Sequence, residues 1–264
     1  MLVAAYPDVI EKPSDISTLS ADELAAWPGA ERREPRRSDR HYLVLSVLAR
    51  QIREEIERLL GDRRDARVLD IGCGAKPYLP FVAGHASRYV GIDTADGPSV
   101  DLVAPAEQLP CEDGSFDLVL CTQALEHVQR PAAALAEIHR VLAPGGAALI
   151  STHGVFLYHP DPPGSDQDYW RWTHSGLRKA VAESGEWRRI EVRPNGDLVA
   201  CLGYISAQFV DELGQWLRVD PLRRALLFVL NSLAELLDRR FPPRARVPAP
   251  GSLSANYLVT AVKS

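Results

Sequence analysis

The 264-residue sequence predicts an α/β fold, a mainly parallel seven-stranded sheet with helices on both faces. Three observations predict it. Short β-branched apolar runs alternate with helical periodicity through residues 67–152, the pattern of right-handed βαβ crossovers. The first of these runs leads directly into a glycine turn, Asp70-Ile71-Gly72-Cys73-Gly74. The chain closes on another apolar β-rich run at residues 256–262, behind a long helical stretch.

Residues 1–40, rich in Pro, Asp, Glu and Arg, read as a mostly irregular arm, with one helical hint over residues 21–27 behind the cap Ser20. Residues 41–264 read as a single domain. In residues 41–60, Leu45, Leu48, Ile52, Ile56 and Leu59 recur at helical spacing and the helix stops at Gly61. Strands follow at residues 67–71, 89–92, 100–103, 116–121 and 147–152. A short helix over 78–83 and a longer one over 131–142, with Pro131 in its first turn, lie between them. Pro144-Gly145-Gly146 marks a turn before the fifth strand. Then come a helix over 173–184, a strand over 187–192, and helices over 202–237 broken near Asp220-Pro221. A helical insertion, residues 201–240, thus separates the last two strands.

Composition narrows the partners. A net charge of -5 argues against a phosphate-backbone substrate, which normally leaves a basic excess. The local clusters Arg32, Arg33, Arg36, Arg37 and Arg40, and Arg239, Arg240, Arg244 and Arg246, read as solvated faces. Four cysteines without a Cys-x-x-Cys pair suggest neither a disulfide framework nor structural zinc, which suits a cytoplasmic protein. No signal peptide and no membrane-spanning run is recognisable, so a soluble protein is expected.

Gly72 and Gly74 let the chain turn tightly and bring bare backbone to a ligand. A dinucleotide fingerprint would need a third glycine where Pro77 stands, which disfavours NAD or FAD and a dehydrogenase. Asp93 ends the second strand, 19 residues after Gly74, where a carboxylate can take two ribose hydroxyls.

Six segments then stand in one order. They are Asp70-Ile71-Gly72-Cys73-Gly74, Gly91-Ile92-Asp93, Ala106-Glu107-Gln108-Leu109-Pro110, Gly114-Ser115-Phe116-Asp117-Leu118-Val119, Leu125-Glu126-His127-Val128 and Arg140-Val141-Leu142-Ala143-Pro144-Gly145-Gly146. Together they resemble the motifs of class I S-adenosylmethionine-dependent methyltransferases, in particular the small-molecule group called type 11. The resemblance implies a Rossmann-like fold and S-adenosylmethionine as cofactor. It also implies that Asp70 and the backbone of Gly72, Cys73 and Gly74 hold the methionine end, and that Asp93 holds the ribose. Ala106 and Glu107 would lie at the adenine, and Cys121 and Gln123 beside the methionine ammonium. Pro105 replaces an Asp usual in that family, which leaves backbone amides and Glu107 to read the base.

The loop after the fifth strand carries the candidates for chemistry. A hydroxyl nucleophile wants a base with a pKa near the working pH, which makes His153 and His174, with Asp166 and Asp168, the catalytic candidates. Residues 168–177, Asp-Tyr-Trp-Arg-Trp-Thr-His-Ser-Gly-Leu, resemble type 11 members associated with bacterial polysaccharide and glycolipid biosynthesis. A saccharide hydroxyl is therefore the expected acceptor, bound by His127, Tyr158, His159, Tyr169, Trp170 and Trp172. The other reading makes Trp170 and Trp172 packing residues and His174 a helix cap. Glu126, Asp161 and Asp166 are candidate ligands for a divalent ion such as Mg²⁺. Other small-molecule acceptors, such as a polyketide, quinone or aromatic, and a non-catalytic binding module remain alternatives. The apolar helices of residues 201–240 would cover the acceptor site, form a homodimer, or touch a membrane surface peripherally with help from Arg239, Arg240 and Arg244.

Overall fold

A strand buried on both faces has no polar side to show, and β1 (Ala66–Ile71) is buried at every position but Arg67. It forms the middle of a seven-stranded sheet in a computed structural model that describes residues 16, 18–161, 164–240 and 253–264. The other strands are β2 (Ala86–Asp93), β3 (Leu102–Val103), β4 (Phe116–Thr122), β5 (Leu142–His153), β6 (Trp187–Pro194) and β7 (Asn256–Lys263). Their order across the sheet is β3-β2-β1-β4-β5-β7-β6, a Rossmann-like arrangement. Only β7 runs against its neighbours.

Alternation along each strand divides the core. In β4, Val119 and Cys121 face a layer made with α5 (Pro131–Val141) and α6 (His174–Glu183). Leu118 and Leu120 face the opposite layer, made with α3 (Tyr42–Leu60) and α4 (Leu79–Val82). The Pro144-Gly145-Gly146 segment does not end a strand. It lies within β5 as an irregularity in the pairing with β4, with Gly145 at φ 76°.

The direction of β7 follows from the helices before it. α7 (Leu198–Trp216) and α8 (Asp220–Arg240) form an antiparallel hairpin across a short turn, so the chain returns to the end of the sheet from which it left. A single crossover helix would have delivered a parallel strand. Small residues let the two helices approach: a Cβ on Gly203 would stand 2.7 Å from the Ala234 methyl, and one on Gly214 would stand 2.6 Å from the Arg223 side chain. Among the described residues no helix is long and apolar enough to cross a membrane.

Residues 1–15 of the expected arm lie outside the described residues, and residues 18–40 are more ordered than an irregular arm. Ser20 and Glu23 close a capping box on α1 (Ala21–Ala25), and α2 (Ala30–Arg33) follows. Ile16, Leu19, Leu24 and Trp27 pack on the α3 layer, and the Trp27 indole donates to the Lys76 carbonyl at 3.0 Å. These apolar residues follow no single period, so their polar surroundings hide them in the sequence. Nor do Arg33 and Arg37 of the first arginine cluster make a solvated face, though Arg36 and Arg40 are exposed. Arg33 donates to the carbonyls of Trp27, Pro28 and Pro77, and Arg37 pairs with Glu235 of α8 at 2.6 Å.

Beneath the glycine turn, Lys76 is buried with its Nζ 2.5 Å from Asp101, which also accepts the Gly91 N–H at 2.7 Å. Gly91 leaves room for that lysine: a Cβ there would run into Lys76 Cε and stand 2.8 Å from Cys73 Sγ. Gly91→Ala is therefore expected to cost about 2 kcal/mol or more, read as a lowered denaturant midpoint with unchanged m-value. An unshifted midpoint would show that the ion pair rearranges freely.

Candidate active site

In a parallel sheet the crevice opens where successive connections leave in opposite directions, here between the carboxyl ends of β1 and β4. Gly72 and Gly74 turn there with φ of 67° and 47°, and the amides of Gly72 and Cys73 both donate to the Ile92 carbonyl. Asp93 takes the Gly74 N–H at 2.9 Å and the Thr94 N–H at 2.7 Å, which aims its carboxylate at the turn. The resulting cavity is about 760 Å³, walled by Gly72, Gly74, Asp93, Ala106, Glu107 and Gln123. A Cβ on Gly74 would meet no protein atom within 4 Å, so the turn faces open space that a side chain would take from a ligand. Bare backbone, an acid aimed at the turn and cavity walls from residues 104–108 fit the expected S-adenosylmethionine.

Two of the expected cofactor residues stand elsewhere. Asp70 has the strand parity of Val68 and points into the α3 layer, where Tyr89 donates to it at 2.7 Å and its other oxygen has no partner. Cys121 has the parity of Val119 and lies in the α5 layer. Both are buried, and neither walls the cavity.

Gln123, just past β4, is held in the left-handed region at φ 53°, which a non-glycine residue adopts only under local constraint. Its side chain joins two groups. Oε1 accepts from Arg32 of α2 at 2.6 Å, and Nε2 lies 3.2 Å from Nε2 of His153. Arg32 was missed by the sequence reading, since nothing in a run of arginines separates one that enters a cavity from those beside it.

Behind Gln123 lies a buried polar group. Glu126 Oε1 stands 2.8 Å from His153 Nδ1, a close contact bent away from a straight hydrogen bond. The other Glu126 oxygen accepts from the Thr152 hydroxyl at 2.9 Å. Burial raises the Glu126 carboxyl, but the charge and contact of His153, with help from its own backbone and His127, bring it below the ordinary value. With a proton on Nδ1 facing that carboxylate, Nε2 of His153 is left to accept from Gln123. Phe156 stacks on His153 with centroids 3.6 Å apart, and His159 meets it edge-on at 4.7 Å.

The remaining candidates separate. His127 and Asp161 wall the mouth of the cavity, with His127 Nδ1 2.6 Å from the Gln167 carbonyl. The amides of Tyr169 and Trp170 donate to the Glu126 carbonyl, leaving both rings part exposed, whereas Tyr158 is 67% exposed. Trp172 packs on the core. Asp168 is a brace for the loop, gripped by both arms of Arg171 and by the His159 amide. Burial opposes its ionisation, but those bonds hold it down at about 2. Asp166 is exposed and does not wall the cavity.

His174 is a correction to the expected catalytic pair. Thr173 caps α6 and turns His174 toward β6, where Nε2 lies 3.2 Å from the Val192 carbonyl and the ring rests against Tyr257. Glu126 does not gather with Asp161 and Asp166 either. Among the described residues its donor atoms lie within 4.8 Å of those of His153 and His159, a nitrogen-rich set that suits a transition metal better than Mg²⁺.

Asp70 supplies a test by pH. Burial lifts its carboxyl to about 7, against the partial help of Tyr89 and Lys76. A raised folded-state value means that its stabilising contribution is complete below the ordinary carboxylate pKa of about 4 and is lost as pH rises toward 7. Asp70→Asn should therefore gain stability relative to wild type across that window, by a few kcal/mol at most, and level off above it, read from thermal melts at each pH. A constant difference from pH 4 to 8 would refute the assignment.

A family model described as a methyltransferase domain matches residues 44–199. The ubiquinone biosynthesis O-methyltransferase of Ruegeria pomeroyi is 32% identical over 168 residues, covering 56% of this chain and 66% of that one. The protein of the same description from Thiobacillus denitrificans is 35% identical over 101 residues, covering 33% and 44%. The chain thus spans about half to two thirds of these relatives. Among solved structures, the [4+2]-cyclase SpnF superposes with a TM-score of 0.51 at 20% identity, over 81% of each chain, a likeness of fold alone. By a match over more than half its length, joined to the glycine turn and the acid at the end of β2, the chain belongs to the methyltransferase-domain family of S-adenosylmethionine-dependent enzymes.

Proposed function

We propose that the protein transfers the methyl group of S-adenosylmethionine to a hydroxyl of a small molecule, with His153 as the base and Glu126 holding it in place. The observation that carries this reading is the buried Glu126–His153 contact, one side chain behind Gln123, which itself walls the glycine-turn cavity. When bound, the donor supplies a methyl group on a sulfonium, so the protein's task is mainly alignment.

The Gly72–Gly74 backbone would hold the methionine end, Asp93 the ribose hydroxyls, and Ala106 and Glu107 the base. Arg32 adds a cation where the donor's carboxylate needs one. A hydroxyl ionises above neutral pH and becomes a nucleophile only as its proton leaves. An imidazole whose Nδ1 faces a carboxylate is oriented to take that proton at Nε2, the logic of an oriented base. Gln123, bonded on both sides, would position that nitrogen and yield it to the acceptor.

Two acceptor classes have support. The relatives named for ubiquinone biosynthesis favour an aromatic or quinol hydroxyl, in keeping with the rings of Phe156 and His159 against His153 and of Tyr204 against Phe156. The part-exposed Tyr169 and Trp170, on the loop with Asp161, favour a saccharide, whose C–H faces stack on such rings.

Calorimetry with S-adenosylhomocysteine should give binding that falls roughly 10- to 100-fold in Asp93→Ala and about tenfold in Arg32→Ala. Undetectable binding to the wild type would sink the donor assignment. In a labelled-methyl screen of phenols, quinols and saccharides, His153→Ala and Glu126→Gln should lose about 10²- to 10⁴-fold in kcat while still binding S-adenosylhomocysteine. Turnover surviving in both variants would rule out the base. Running the screen with and without EDTA tests the Glu126–His153–His159 donors, since loss of activity on chelation would assign them to holding a metal ion instead of to the base.

A further inference from the structure

The outer face of the α7–α8 hairpin is apolar along its whole length. On α7 the exposed apolar side chains are Leu198, Leu202, Ile205, Phe209, Leu213 and Trp216, with Phe209 67% and Trp216 78% exposed. On α8 they are Leu222, Leu226, Phe228, Val229, Leu233 and Leu236, with Val229 62% exposed. Phe228 apart, the α8 set repeats at intervals of 4, 3, 4 and 3 residues, and the α7 set at 4, 3, 4, 4 and 3. That is the spacing of a helix packing on helices. The two seams border one shallow apolar groove, with Phe209 and Val210 on one bank and Val229 and Leu230 on the other.

We propose that this face binds a second copy of the chain, two hairpins completing a four-helix bundle around the groove. A hairpin with an unfilled seam on each helix is half of such a bundle, and a two-fold axis makes one such surface complement itself. The exposed apolar area, on the order of 1,000 Å² by side-chain size, exceeds the roughly 800 Å² per partner of a standard interface. The chain's own residues 241–252, Phe-Pro-Pro-Arg-Ala-Arg-Val-Pro-Ala-Pro-Gly-Ser, hold too few large apolar side chains to cover it. Within the monomer, the buried side of α7 is already engaged through Gly203 on Ala234 and Leu43, so only the outer side is free to join a partner.

Sedimentation velocity of the full chain over a concentration series tests this. The wild type should sediment as a dimer. Phe209→Glu and, separately, Val229→Lys should weaken association roughly thirtyfold or more while keeping the wild-type circular dichroism. Because the two residues lie on different helices, either variant that folds carries the test. In the wild type, amide exchange of α7 and α8 should slow as concentration rises through the dissociation constant. A wild-type monomer at every concentration would overturn the proposal, as would folded variants that remain dimeric. A monomer that co-floats with vesicles of phosphatidylcholine and phosphatidylserine would assign the face to a membrane instead.

Discussion

Connections that leave the middle of a parallel sheet in opposite directions cannot close the gap between the strands they leave, and the opening between β1 and β4 organises the rest of this molecule. Backbone can approach a ligand there only if side chains withdraw, hence the positive φ values at Gly72 and Gly74 and the empty volume off Gly74. The loop is stiff because of what lies under it. Gly91 makes room for Lys76, Lys76 reaches Asp101, and Asp101 ties back to the Gly91 amide. Donor cavity and buried ion pair are two sides of one turn.

The neighbouring polar group follows the same economy of burial. Two ionisable groups as enclosed as Glu126 and His153 are tolerated only when each answers the other. The loop that brings His159 to them is held by Asp168, whose low pKa records the strength of its bonds to Arg171 and to the His159 amide. That stabilising contribution is present above the ordinary carboxylate range and is lost only as pH falls through about 2, so the loop stays braced at any physiological pH.

The arm, the cavity and the helical hairpin are linked by arginines and backbone carbonyls. Asn231 of α8 donates to the carbonyls of Arg37 and Asp39, Gln208 of α7 donates to that of Arg40, and Arg37 pairs with Glu235. From there the chain leads back to α2, which places Arg32 against Gln123. An element far from the sheet's open edge in sequence thus steadies a residue at the cavity wall.

The sequence by itself determined the strand and helix alternation, the glycine turn, the acid at Asp93 and the break near Asp220, because these depend on local periodicity and on backbone conformations that few residues adopt. Strand parity was equally legible and would have turned Asp70 and Cys121 away from the cavity. Only the tertiary structure decided which members of the 153–174 loop meet: His153 with Glu126 and His159, Asp168 with Arg171, and His174 with Val192. It also decided that Arg32 enters the cavity and that β7 runs backward. Such pairings depend on how a loop crosses the sheet and how many helices precede a strand, distances in space to which residue spacing along the chain gives no measure.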